Sequence, residues 1–302
     1  MYWFWIALLP PILWSVNNHV DKYLYNRYYK DSLPGTLMLF TAIIGALIAL
    51  VIGICHPAVF LLPIRSIILL LLAGALSFAY IFPYIYALMR DEASRVVPLF
   101  QIAPIVSYLL GWILLHEQLS AKQLVAGIII VFAAIAMNLD LDNQFRFKRS
   151  VFWLMVLAAS LFATEGFLFK YGTANRSFWT GAFYQYSGLA LTGLVVAIVS
   201  RKFRQNFWIL FRANKQMIFT VSLLNEAISI SAFMLYNYAV LLAPLALVAL
   251  VSNTQPFFVI AFGIILTLFF PKLGKESITK RHLIQKIICT AVIFTGTYIL
   301  LR

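Results

Sequence analysis

The sequence predicts an all-α integral membrane protein of ten transmembrane helices arranged as a 5+5 inverted repeat, and three observations predict it. Of the 302 residues, 63% are hydrophobic and only 11% are charged, far from the roughly 25% charged make-up of a globular domain. The apolar residues gather into runs of about 20, the length at which a helix rising 1.5 Å per residue crosses a ~30 Å hydrocarbon core. Stretches of the second half also align, in order, with stretches of the first, the mark of a duplicated unit.

Taken in order, the first span covers residues 2 to 21. It opens MYWFWIALLPPILWSV, which lacks the basic start and small-residue cleavage pattern of a secretory signal, so it is expected to remain as a helix. The second and third spans cover 34 to 53 and 66 to 88. The fourth, 94 to 115, carries Pro98, Gln101 and Pro104, tolerable in a membrane where neighbouring helices or a cavity satisfy the freed backbone groups. A polar break, HEQLSAKQ, separates it from the fifth, 119 to 138. The sixth and seventh cover 151 to 171 and 178 to 199. The connection 200 to 216 sets Phe203, Phe207, Leu210 and Phe211 at helical spacing against Arg201, Lys202, Arg204, Arg212 and Lys215, and reads as an interfacial helix. The eighth, ninth and tenth spans cover 217 to 239, 244 to 268 and 283 to 301.

The alignment between halves has three blocks. Trp5, Leu9, Leu13 and Lys22 face Trp153, Leu157, Leu161 and Lys170. Tyr84, Tyr86, Ala87, Val96 and Pro104 face Tyr236, Tyr238, Ala239, Val248 and Pro256, and Glu117, Leu124 and Ile128 face Glu276, Leu283 and Ile287. The offsets rise in order, from 148 through 152 to 159 residues, so only small insertions are needed. The predicted halves are residues 1–142 and 143–302, together one transmembrane domain. Because five is odd, the second must cross the membrane in the opposite sense.

Net charge is +13, which in a soluble chain would raise nucleic acid as a partner. Here the basic residues sit in short connections, where they meet lipid headgroups. Odd-numbered connections hold 18 Lys and Arg, and the other side holds 5. By the charge rule, both termini lie outside. Cys55 and Cys289 have no metal-ligand spacing and read as packing residues. His19, His56, His116 and His282 are scattered at span ends and read as solvated edge residues, with pH sensing at His19 the alternative.

Ala93 and Ser94, then Pro104, Gly111, Glu117, Leu119 and Gly127, with Trp14, Asn18 and Lys22 in the first span, form a pattern that resembles the drug/metabolite transporter superfamily, in particular its ten-helix EamA-type branch. The resemblance covers nearly the whole chain. In the second half, Lys286 takes a glycine position and FFPKLGK lengthens the loop before Glu276. The resemblance implies both termini in the cytoplasm, opposite to the charge count.

Of ten acidic residues, only Glu165 and Glu226 fall inside spans. A carboxylate at the bilayer centre costs at least ~2.5 kcal/mol, so it should face a cavity or a partner. Glu226, about ten residues into its helix and so near the midplane, shares a face with Ser222, Asn225, Ser229 and Phe233. Glu165 aligns with Asn17. The ninth span carries Ser252, Asn253, Thr254, Gln255 and Pro256 in succession, matching Gln101 and Pro104 in the fourth, so Pro104 and Pro256 are expected as helix kinks flanking a central site. Tyrosines 84, 86, 108, 184, 186, 236 and 238, with Trp14, could line a pocket for an amine or aromatic solute. The candidate substrate-binding residues are therefore Trp14, Asn18, Gln101, Tyr108, Asn225, Glu226, Ser229, Tyr236, Asn253 and Gln255. The candidate proton-coupling residues are Glu226 and Glu165. The bland alternative for each is a polar side chain bonding a neighbouring helix.

The expected function is a secondary transporter moving a small polar or amphipathic metabolite by alternating access, with proton coupling an option. A flippase for a lipid-linked molecule is the alternative and an intramembrane enzyme a distant third, since no P-loop and no catalytic constellation is present. No cofactor, metal or nucleic-acid partner is expected. The expected partners are a small-molecule substrate and the lipid bilayer, and the expected location is a bacterial inner membrane.

Overall fold

The computed structural model describes residues 2–28, 35–88, 90, 96–137, 149–213, 216–269 and 280–301, and among them every regular element is helical. In chain order these are α1 (Tyr2–Tyr28), α2 (Gly35–Cys55), α3 (Ile64–Ala79), α4 (Ile81–Leu88), α5 (Ala103–Leu114), α6 (Ala121–Met137), α7 (Arg149–Gly172), α8 (Phe178–Val199), α9 (Arg201–Ala213), α10 (Gln216–Leu242), α11 (Leu245–Ser252), α12 (Gln255–Phe269) and α13 (Lys280–Leu301), with short 3-10 turns at Pro57–Phe60 and Val97–Ile102. Five stretches are long and apolar enough to cross a membrane: Met38–Cys55, Ile64–Ala87, Arg149–Gly172, Phe178–Val199 and Leu245–Leu266. Ala103–Leu114, Ala121–Ala133 and Ile287–Ile299 are shorter apolar helices. Large apolar side chains face outward in helical register, as with Leu47, Leu50, Val51 and Ile54 on α2 and Leu191, Leu194, Val195 and Ile198 on α8. This is an inside-out surface suited to lipid.

Three predicted spans prove discontinuous, each beside a proline. Pro83 offers no N–H to the Ala79 carbonyl, and α3 gives way to α4 at Tyr80. The fourth span is a 3-10 turn, opened by Pro98, that leads into α5, with Pro104 in the first helical turn of α5. The ninth breaks at Asn253 and Thr254, and Pro256 stands in the first turn of α12. Both prolines therefore begin helices instead of bending continuous ones, as their fixed φ and missing N–H favour.

The HEQLSAKQ break is built from two local devices. His116 takes a left-handed φ of 55° and ends α5, so that the Leu115 and Glu117 N–H groups both reach the Gly111 carbonyl, at 3.1 and 3.0 Å. Ser120 and Gln123 then cap α6 reciprocally: Ser120 N–H donates to Gln123 Oε1 at 2.9 Å and Gln123 N–H to Ser120 Oγ at 3.3 Å.

The bundle closes around paired helices. α1 lies along α10 and against α11 and α12, α7 lies along α3 and α4 and against α5, and α2 packs on α8, α6 on α13 and α5 on α11. Glycines set the closest seam. A methyl at Gly74 on α3 would stand 2.6 Å from the Leu189 N of α8, and one at Gly188 on α8 would stand 2.7 Å from the Leu71 Cα of α3. Backbones meet there with no room for a Cβ, the small-residue packing of membrane helices.

The basic helix α9 lies against the bundle's end. Phe203 meets Phe82 of α4 and Phe207 meets Phe40 of α2, with ring centroids 6.1 and 4.9 Å apart, while Arg201, Lys202 and Arg204 are exposed. Arg204 Nη1 donates to the Ala197 and Ile198 carbonyls at 2.9 and 3.3 Å, closing α8. The side chains of Leu210, Phe211, Arg212 and Lys215 lie outside the described residues, as do the stretch 138–148 between the halves and the loop bearing Glu276. Cys289 is buried as expected, but Cys55 is exposed at the end of α2, because it lies one turn beyond Val51 on the outward side of that helix. His56 is exposed and stacks on Trp179 at 5.2 Å, whereas His19 is half-buried, its Nε2 2.9 Å from the Val259 carbonyl of α12, so of these two only His19 is packed inward.

Candidate functional site

The most enclosed polar group is a carboxylate. Glu165 on α7 is fully buried, and its Oε1 accepts from the Gln185 side-chain amide of α8 and, at 3.3 Å, from Asn237 Nδ2 of α10. Asn237 Nδ2 also donates to Gln185 Oε1 at 2.9 Å. Three helices thus meet on one carboxyl. The Gly74–Gly188 seam is what brings α8 close enough, since Gln185 sits one turn from Gly188 and its own carbonyl lies against Gly74. Glu165 Oε2, Asn237 Oδ1 and the Tyr236 hydroxyl are buried without a partner among the described residues. One turn below Glu165, Phe162 is ringed by Trp14, Tyr80, Phe100, Phe233 and Tyr236 at centroid distances of 5.2 to 6.5 Å.

Five residues beyond Glu165, at the end of α7, a second charged group closes the bundle. Lys170 Nζ lies 2.5 Å from Glu117 Oε1 and donates at 2.5 Å to the Ala243 carbonyl at the end of α10. Glu117 Oε2 accepts the Leu245 N–H at the start of α11, at 2.9 Å. One carboxylate and one ammonium therefore cap both sides of the α10–α11 turn and tie it to the α5–α6 break. Gly111 makes this possible, because a methyl there would fall 2.7 Å from Glu117 Oε2.

A third level lies at Asn225, about 18 Å from Asn237 toward the start of α10 by helix rise. Asn225 Nδ2 donates to Asp21 Oδ1 at 2.6 Å, and Asn17 Nδ2 donates to the Asn225 carbonyl at 2.7 Å. Glu226 is half-buried beside them and is hydrogen-bonded by the Thr41 side chain of α2. Asn17 Oδ1 and Asn225 Oδ1 are again buried acceptors without a partner among the described residues. Among those residues no group of three or more His, Cys, Asp or Glu is placed to hold a metal.

The first half of this polar, helix-broken bundle can be placed by comparison with known proteins, since residues 1–139 match the EamA-like transporter family. That half of the chain is EamA-like. The family is one of membrane transporters of the drug/metabolite type, not of enzymes. A solved crystal structure shares the fold, with a TM-score of 0.70 over 99% of this chain and 96% of that one, at 15% sequence identity. No curated protein matches.

Within this bundle, the expected site residues fall into separate places. Trp14 and Tyr236 come together, 5.9 Å apart, within the ring cluster. Asn225 and Glu226 join Asp21 at the third level, with Ser229 half-buried one turn on. Asn18 is exposed on α1, and Tyr108 lies parallel to the exposed Trp112, beside the outward face of α5. The polar run of the ninth span largely serves its own helix break: Ser252 and Thr254 hydroxyls donate to the Val248 and Val251 carbonyls, and the Gln255 carbonyl accepts from Ser15 at 3.1 Å. Asn253 is buried with its Nδ2 unpartnered among the described residues. The side chains of Gln101 and Pro256 lie outside those residues. Gln185, Asn237 and the Glu117–Lys170 pair were not expected in the site. The only sequence sign of the pair was that Glu117 and Lys170 each have an aligned twin, Glu276 and Lys22.

Proposed function

We propose that the chain is a secondary carrier that moves a small polar or amphipathic metabolite by alternating access, with its two five-helix halves, 1–142 and 143–302, rocking about polar groups between α1, α7 and α10, and with Glu226 as the proton-coupling carboxyl. The observation that carries this reading is chemical. An otherwise apolar bundle holds Glu165 and Glu226 and, on those three helices, buried acceptors without a partner among the described residues, and such groups are expensive in a membrane unless they pair with one another or serve a permeating solute or ion. The enclosure of Glu165 beneath the Glu117–Lys170 pair, with Asp21 exposed at the other level, suits a carrier closed on one face.

Two features support the halves. Helix packing is preserved when the first five spans are exchanged with the last five: α1 on α10 becomes α7 on α3, and α1 on α11 and α12 becomes α7 on the 97–102 turn and α5. Aligned residues also match in burial, as Trp5 and Trp153 both face outward while Ala87 and Ala239, like Val96 and Val248, are fully buried.

The test is uptake into proteoliposomes under an imposed pH gradient. Saturable, gradient-driven uptake is expected, and Glu226→Gln should remove the gradient dependence while leaving solute exchange. Unsaturable flux would overturn the carrier reading, and pH-driven uptake unchanged in Glu226→Gln would overturn the coupling role.

A further inference from the structure

We propose that the Glu165–Asn237 cluster binds a protonated primary or secondary amine whose apolar body lies among the rings around Phe162, a reading that rests on the carrier function and names its substrate class. The inference follows from counting hydrogen bonds. In the cluster, the amide donors already have acceptors: the Gln185 amide is directed to Glu165 Oε1, and the Asn237 amide to Glu165 Oε1 and Gln185 Oε1. What is left over accepts. Glu165 Oε2 and Asn237 Oδ1 can only accept when the carboxyl is ionised, and the Tyr236 hydroxyl can do either. All three are at least nine-tenths buried, and their residues are exposed by 1% or less.

A ligand that satisfies this set must bring donors. An ammonium brings two or three together with the opposite charge. An anion would add acceptors to acceptors, and Lys170, five residues along α7, is already held by Glu117 and the Ala243 carbonyl. A neutral alcohol supplies one donor and leaves the carboxylate's charge uncompensated. The rings point the same way. Phe162 shares a helical face with Glu165, and Trp14 and Tyr236 lie against it, so a cation reaching the carboxylate passes over ring faces that attract it. The acceptor bias continues to the third level, where Asn17 Oδ1 and Asn225 Oδ1 are without a partner among the described residues, beside Asp21 and Glu226.

The experiment uses the purified full chain in mild detergent with three probes of one shape, 2-phenylethylamine, 2-phenylethanol and phenylacetate, read by calorimetric titration and by thermal shift, since a ligand of the folded state raises its melting temperature. The amine should bind saturably, and the alcohol and the carboxylate at least about tenfold more weakly. Glu165→Gln should weaken the amine about tenfold or more. Tyr236→Phe, which keeps the ring and removes only the hydroxyl, should weaken it severalfold, and this variant decides the matter if Glu165→Gln does not fold. Equal binding of all three probes, preference for phenylacetate, or amine affinity unchanged in folded variants would overturn the proposal. The two readings fail separately: amine binding without vesicle flux would sink the carrier, whereas saturable flux of another solute without amine binding would sink only the amine site.

Discussion

Replacing Gly74 by alanine places a methyl carbon 2.6 Å from the Leu189 nitrogen and against the Gln185 carbonyl group, both of them backbone. Backbone cannot swing aside as the end of a side chain can. Restoring even the Leu189 contact to 3.4 Å, where ordinary van der Waals contact begins, requires α3 and α8 to part by about 0.8 Å. Overpacking of this kind costs about 1–3 kcal/mol. Moving α8 also draws the Gln185 amide away from Glu165, and a hydrogen bond to a charged group is worth about 1.5–3 kcal/mol. Gly74→Ala should therefore lower the free energy of unfolding by ~3 kcal/mol in a denaturing-detergent titration, and should weaken transport even where the protein remains folded. Gly127→Ala is the control, because the nearest atoms to its methyl belong to the movable Leu250 side chain, Cδ1 closest at 3.0 Å, and it should cost less than ~1 kcal/mol. Wild-type stability in Gly74→Ala, or an equal loss in Gly127→Ala, would refute the backbone-seam argument.

Three further outcomes are expected. Lys170→Met strands Glu117 in a largely buried setting and should destabilise by ~3 kcal/mol, but adding Glu117→Gln should recover part of that loss; a double-mutant cycle additive within ~0.5 kcal/mol would contradict the pairing. Ser120→Ala removes half of the reciprocal cap of α6 and should cost about 1 kcal/mol in the same titration. Cys55 should react with a membrane-impermeant maleimide added to intact cells if the charge bias sets the orientation, while the buried Cys289 stays unlabelled until the protein is denatured; labelling of Cys55 only after permeabilisation would place the termini in the cytoplasm.

Much of the architecture could be read from apolar run length and the spacing of prolines, because both reflect constraints local to the chain. Run length reports the thickness of the bilayer, so α2, α7 and α8 emerge close to their expected limits. Pro83, Pro104 and Pro256 each mark a place where the helical ladder fails, but the sequence does not say whether a helix bends there or stops and restarts. The site was less legible. Glu165 could be recognised as a buried carboxyl, yet its partners Gln185 and Asn237 lie on helices whose rotation is set by glycine seams between distant segments. The Lys170–Glu117 contact likewise depends on the close approach of the α5–α6 break to the α10–α11 turn. Such contacts join residues far apart in the chain, and no periodicity encodes them.

The three interrupted spans have a mechanical consequence. At Ala79, Ser252 and the 97–102 turn, the α-helical ladder is already incomplete, because Pro83 and Pro256 have no N–H to give and the fourth span starts as a tighter 3-10 coil. Swinging an outer half-helix about any of these points breaks fewer regular backbone bonds than bending an unbroken helix would. The α3–α8 seam, with no space between backbones, is the opposite kind of element and resists sliding. The molecule thus combines joints with a rigid strut, and two of the joints stand beside Tyr80 and Phe100 of the ring cluster around Phe162, so a change in the contents of that cluster acts directly on parts that turn easily.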